Sequence, residues 1–220
     1  MVDTKKHSYY LNNYYATKVL TECIKELKIS NLIFSSTAAV YEKKERKIKE
    51  NSKIFSKNSY GKSKINCENL IKKLDQNTTK FCILRFFNVA SSIVKKKIGE
   101  IHNPETHLIP IIIHSILNKK KFKVYGNNYP TKDGTCLRDY IHILDITRGI
   151  EKSIKFLLKK NTKSNIFNLG SGKSYSVKEV VKCAFRITKR KTIINYQNNR
   201  KHDSIKLVCS IKKANKILEW

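Results

Sequence analysis

Tyr60-Gly-Lys-Ser-Lys64, with Ser35-Ser36-Thr37 ahead of it and Arg85-Phe86-Phe87-Asn88 behind it, sets a phenol, an ammonium and a hydroxyl around one reaction centre. Residues four apart on a helix share a face, so Tyr60 and Lys64 address the same ligand. A phenol with its ordinary pKa of about 10 is a poor base at neutral pH, and an adjacent ammonium lowers that value by favouring the phenolate. The pair therefore reads as a general base for oxidation of an alcohol such as a sugar hydroxyl. Taken alone, a Tyr/Lys pair is more often plain surface, and hydroxyls such as those of 35–37 more often cap turns.

The surrounding sequence must position these groups. Apolar residues recur at helical spacing over 14–27 (Tyr15, Val19, Leu20, Cys23, Ile24, Leu27), and Leu32-Ile-Phe-Ser-Ser36 follows with the length of a buried parallel strand. The lysine-rich stretch 43–53 reads as a surface loop. A helix over 59–74, with Ile65, Leu70, Ile71 and Leu74 on its apolar side, precedes a second buried strand at 81–85. This alternation predicts a doubly wound α/β sheet, whose ligands sit at the carboxyl ends of its strands, where Thr37 falls. Beyond it the pattern predicts helices over 109–117, 145–158, 177–188 and 211–218, strands at 122–125, 138–142 and 166–169, and turns through 126–134.

The chain of 220 residues is long enough for one large domain or two small ones. Its charge of +29, from 46 Lys+Arg against 17 Asp+Glu, raises nucleic acid as a partner. Only seven of those residues are arginine, and the basic residues are scattered rather than gathered into a stripe, so the reading is a solvated surface that favours anionic ligands, with no nucleic acid and no membrane. The six cysteines lack any C-x-x-C pair and read as reduced thiols of a cytoplasmic protein; the six histidines show no ligand spacing, so no metal is expected. Gly170-Ser-Gly-Lys-Ser174 imitates a phosphate-binding loop, but Phe167 stands where another glycine is required. Asp139 and Asp145 read as local caps or ion-pair partners.

Asn12-Asn13, Phe34-Ser-Ser-Thr37-Ala-Ala-Val-Tyr41, Tyr60-Gly-Lys-Ser-Lys64, Leu84-Arg-Phe-Phe-Asn88, the block from Tyr125 to His142 and Asn168-Leu-Gly-Ser-Gly172 stand in the order and near the spacing of another group of proteins. In these motifs the chain resembles the UDP-glucose 4-epimerases of the extended short-chain dehydrogenase/reductase class, over essentially its whole length. The resemblance implies NAD as cofactor and a UDP-sugar as substrate, oxidised at C4 to a 4-keto sugar, turned, and reduced from the other face. It implies Tyr60 as base, Thr37 as hydrogen-bonding partner of the reacting oxygen, and Lys64 as holder of the nicotinamide ribose. Asn12 and Phe87 then line the NAD site, while Asn88, Leu108, Val124, Tyr125, Arg138, Arg200 and Asp203 form the UDP-sugar pocket. A homodimer through the helices at 14–27 and 60–74 is also implied.

The fold implied is the carboxyl-terminal part of a Rossmann-like domain (1–90) and a smaller substrate-binding α/β domain (91–220), with about 138–158 returning to the first. The family's opening strand, glycine fingerprint and helix are not in this sequence, whose first glycine is Gly61. About 90 residues are expected ahead of Met1, at roughly 30 per βαβ unit, and a separate polypeptide supplying them in trans is one expectation. His107 replaces a usual asparagine near the sugar, and Leu207 a frequent tyrosine. Ala38-Ala39 replaces the Asp-Glu pair of the related dehydratases, which disfavours dehydration. Epimerisation of UDP-GlcNAc or UDP-glucuronate, and a non-catalytic remnant, stay open as alternatives.

Overall fold

Three parallel strands in the order β1-β2-β7 organise the molecule: β1 (Asn31–Thr37), β2 (Lys80–Phe86) and β7 (Asn165–Leu169). A computed structural model describes residues 6–42, 47–200 and 204–220. One face of the sheet carries α2 (Ala16–Glu26) and α3 (Ser59–Lys72), packed through Ile24, Ile71, Leu74, Phe81 and Ile83. The other face carries α5 (Ile143–Leu158) and α7 (Lys212–Leu218), packed through Leu84, Ile146, Leu157, Phe167, Leu169 and Leu218. This is the doubly wound α/β arrangement, built here as the carboxyl-terminal part of a Rossmann-like sheet. Strand β7 lies within this sheet, and α5 and α7 pack against it.

A second lobe packs α4 (Leu108–Leu117) and α6 (Val177–Thr188) around the parallel pair β4 (Phe122–Tyr125) and β9 (Ile194–Gln197). Short strands join the lobes: β3 (Asn88–Ala90) with β6 (Tyr140–His142), and β5 (Leu137–Arg138) between β8 (Tyr175–Ser176) and β10 (Lys206–Leu207). The single strand expected at 138–142 is thus two, divided at Asp139. That carboxylate is fully buried and accepts bonds from the backbone N–H groups of Ser171, Gly172 and Cys209. The glycine turn after β7 is therefore already filled by an anion of the chain itself, which removes it as a phosphate loop.

Three expectations are corrected. The first helix begins earlier, as α1 (Lys6–Tyr9), and runs through a π-helical stretch, Tyr10–Tyr15, into α2. Its apolar stripe faces outward: Tyr15, Val19, Leu20 and Leu27 are exposed, while Thr17, Thr21 and Ile24 are buried. Small polar groups face α3 instead, with Asn13 Nδ2 donating to Ser63 Oγ at 2.9 Å. Secondly, the stretch 43–53 is not all surface, because Ile48 is buried and bridged to Cys209; 43–46 lie outside the described residues. Thirdly, β1 is only half-buried along Asn31–Phe34, since among the described residues β2 is its one neighbour. No helix among the described residues is long and apolar enough to cross a membrane. Among the described residues the buried cysteines Cys67, Cys82, Cys136 and Cys209 form no disulfide.

Beneath α3 lies a buried ion pair. Glu68 and Arg85 are each 1% exposed and meet bidentately, Nε to Oε1 at 2.9 Å and Nη2 to Oε2 at 2.5 Å. Ser36 Oγ donates to Glu68 Oε1 at 2.7 Å, Arg85 Nη1 donates to the Tyr41 hydroxyl at 2.8 Å, and that hydroxyl donates to Asn168 Oδ1 at 2.6 Å. Burial pushes the Tyr41 phenol up to about 12, so it stays protonated. Burial alone would raise Glu68; the hydrogen bonds and charge of Arg85 outweigh it and hold the carboxyl below its usual range.

Removing one partner strands the other charge, so Glu68→Ala is expected to cost roughly 3–5 kcal/mol in urea unfolding, and Glu68→Leu with Arg85→Met less than that single change. A lowered folded pKa contributes stability above the unfolded value of about 4.3, lost as pH falls through the folded value. The wild-type midpoint should therefore drop below about pH 4, with part of that drop absent in the double variant.

Candidate active site

The loop before α3 ends in Asn58, whose Oδ1 accepts the Gly61 N–H at 2.6 Å and starts the helix. Gly61 is required by packing: a Cβ there would lie 2.5 Å from the Ala39 carbonyl oxygen and 2.1 Å from Ser56 Oγ. That close approach sets the first turn of α3 against the end of β1. Along one face of α3, at intervals of four, stand Tyr60, Lys64 and Glu68, each engaging β1. Tyr60 hydrogen-bonds Thr37, Lys64 Nζ donates to the Ser35 carbonyl at 2.9 Å, and Glu68 accepts from Ser36. Thr37 also accepts from the Ala39 N–H at 3.2 Å, so the same hydroxyl caps the turn and meets the phenol.

Burial pushes the Tyr60 phenol above its ordinary value, and the Thr37 hydrogen bond draws it part of the way back. Burial lowers the Lys64 ammonium. The expected depression of the tyrosine by its lysine is thus corrected: desolvation dominates, and the ammonium is engaged by Ser35 and by the Phe34 ring, 4.7 Å from its centroid. Tyr9 packs on Tyr60 with ring centroids 5.5 Å apart, a contact the motif does not announce.

The other candidates are spread around this centre. Asn12 is exposed, its Nδ2 donating to Ser8 Oγ. The Phe87 side chain is buried against Ala38, Tyr41 and Cys209, leaving backbone as what it offers a ligand. Asn88 Nδ2 donates to the Asp139 carbonyl at 2.9 Å. In the second lobe Val124 is core, Leu108 and Tyr125 are half-buried, and the Arg200 guanidinium lies over the Tyr125 ring at 3.9 Å. Arg138 Nη1 donates to the Ser204 carbonyl at 2.7 Å. Asp203 lies outside the described residues.

Thr37, Tyr60 and Lys64 thus stand together, while Arg200 stacks on Tyr125 and Arg138 is bonded to the Ser204 carbonyl. A phenol, an ammonium and a hydroxyl at the carboxyl ends of parallel strands suit the nicotinamide-ribose half of a dinucleotide. The phosphate-cradling glycine loop for the other half is not in these 220 residues. Sequence reading missed Glu68, although its i+8 position from Tyr60 marks a charge on a buried stripe. It also missed the trio His102, Glu105 and His107, whose donor atoms lie within 4.8 Å of one another, contrary to the expectation that the histidines show no ligand spacing.

Residues 3–170 match the family described as NAD dependent epimerase/dehydratase. The UDP-glucose 4-epimerase of Lacticaseibacillus casei is 37% identical over 96% of this chain, which spans 65% of that relative; across the first relatives the share is 64–66%. A crystal structure of a UDP-glucose 4-epimerase superposes with a TM-score of 0.92 at 36% identity, covering 100% of this chain and 68% of that one. That of the Bifidobacterium longum enzyme, in complex with NAD+ and UDP, gives 0.90 at 32% identity, covering 99% and 66%.

Removing the Thr37 hydroxyl takes away the hydrogen bond that favours the phenolate. In Thr37→Val the Tyr60 pKa, followed by NMR of tyrosine labelled at Cζ, is expected to rise above its wild-type value; an unchanged titration would refute the assignment.

Proposed function

The chain belongs to the NAD dependent epimerase/dehydratase family, and on that footing we propose that it carries the base and sugar-nucleotide pocket of a UDP-glucose 4-epimerase, interconverting UDP-galactose and UDP-glucose. The observation that carries this reading is the Tyr60–Thr37 hydrogen bond at the end of β1, on the helix that also bears Lys64. NAD, when bound, accepts a hydride in one half-reaction and returns it in the other. Tyr60 takes the 4-hydroxyl proton as the sugar is oxidised and gives it back on reduction, while Thr37 holds the reacting oxygen. Lys64, on the same face of α3 as Tyr60, would hold the nicotinamide ribose. Asn12 and the Phe87 backbone border the cofactor. Arg138 and Arg200 bind the diphosphate by charge and fork geometry. Asn88, Leu108, Val124, Tyr125 and Asp203 border the uridine and sugar, Val124 through its backbone.

The open edge of β1 and the two-thirds span support a further part of this reading: a glycine-rich αβ segment, on the same or a separate polypeptide, pairs with β1 and completes the NAD site. The same observations favour the second reading, a non-catalytic remnant. The outward apolar stripe of α2 supports a homodimer; the outer positions of α3, Lys62, Asn66 and Asn69, are polar.

Epimerase activity with UDP-galactose and NAD, measured with and without a family amino-terminal segment, decides between the two. Activity in either arm should fall roughly a hundredfold to ten-thousandfold in Tyr60→Phe with KM little changed, and the KM for NAD should rise in Lys64→Met. A folded chain inactive in both arms is the remnant. In light scattering, Val19→Glu is expected to turn a dimer into a monomer; a wild-type monomer would exclude the dimer.

A further inference from the structure

We propose that His102, Glu105 and His107, in the segment leading into α4, form a binding site for a divalent first-row transition metal of the zinc type. Their three donor atoms lie within 4.8 Å of one another. Glu105 Oε1 is 3.0 Å from His107 Nδ1 and 3.9 Å from His102 Nδ1, and Glu100 Oε1 stands 3.6 Å from His107 Nδ1. A tetrahedral zinc with bonds of 2.0–2.1 Å needs its ligands roughly 3.3 Å apart, so small side-chain rotations convert this cluster into a coordination sphere. Two imidazoles with carboxylate oxygens suit zinc, nickel or copper and not magnesium or calcium.

Plain hydrogen bonding accounts for only part of the arrangement. It explains the contact between His107 and Glu105, but the 3.9 Å gap from His102 to Glu105 is beyond a hydrogen bond. Glu105 is held in place independently, its Oε1 accepting the backbone N–H groups of Thr106 and His107 at 2.7 Å each. The imidazoles are solvent-accessible, giving a metal a path of entry. Two of the 17 acidic side chains of a chain with net charge +29 are gathered here, so a cation meets local attraction.

The test is calorimetric titration of the full chain with zinc chloride after treatment with a chelator, together with the visible spectrum of the cobalt(II) form. One equivalent should bind, with nitrogen- and oxygen-type cobalt bands and no thiolate charge-transfer band. His102→Gln and His107→Gln should each weaken binding by at least about tenfold, whereas His7→Gln, on α1, should leave it unchanged. A thiolate band, no binding by the unaltered chain, or wild-type affinity in His102→Gln would overturn the site. The first two readouts use the unaltered chain and do not depend on a variant folding.

Discussion

Everything around the candidate centre depends on one desolvated ion pair, Glu68 with Arg85. A carboxylate and a guanidinium this deeply buried are tolerable only when each finds a complete set of partners. Those partners come from every element that must be aligned: Ser36 on β1, Tyr41 and the Glu50 carbonyl on the loop after it, Lys72 on α3, and Asn168 on β7 through Tyr41. The network therefore ties α3 to β1 in one register. Because Tyr60, Lys64 and Glu68 occupy the same face, the register that satisfies Glu68 also sets Tyr60 at Thr37 and Lys64 at Ser35.

Asp139 has a comparable role between the lobes. Its carboxylate gathers the turn at 171–172 and Cys209, and its carbonyl accepts from the backbone and side chain of Asn88. Gly170 is needed beside it, since a Cβ there would meet Asp139 Oδ2 at 2.9 Å and Cys209 Sγ at 2.6 Å. Two buried carboxylates thus position α3 and the second lobe. Tyr60, Lys64 and Thr37 are less deeply buried.

The open edge of β1 is the counterpart of these closed networks. Its apolar run has the composition of an interior strand, yet Asn31–Phe34 are half-exposed because, among the described residues, strand pairing reaches it from one side only. The outward Val19 and Leu20 of α2 make a second surface whose composition exceeds what its present burial uses. Both are physical reasons to regard further polypeptide as part of the working assembly.

Short-range order was legible in the sequence. The periodicity of 59–74 and the apolar runs at 32–36, 81–85 and 166–169 located α3 and the three sheet strands, because helical and extended repeats impose different spacings on apolar residues. Tyr60 and Lys64 were found because four residues is one helical turn. What only the tertiary structure decided depends on distance in the chain. Strands β9 and β10 are too short to announce themselves and exist through partners about 70 residues away. The facing of α2 was set by a close approach to α3 that admits threonine better than valine. The direction of the Tyr60 pKa was set by burial, which a motif cannot carry. His102, Glu105 and His107, by contrast, converge within six residues, a matter of local backbone path.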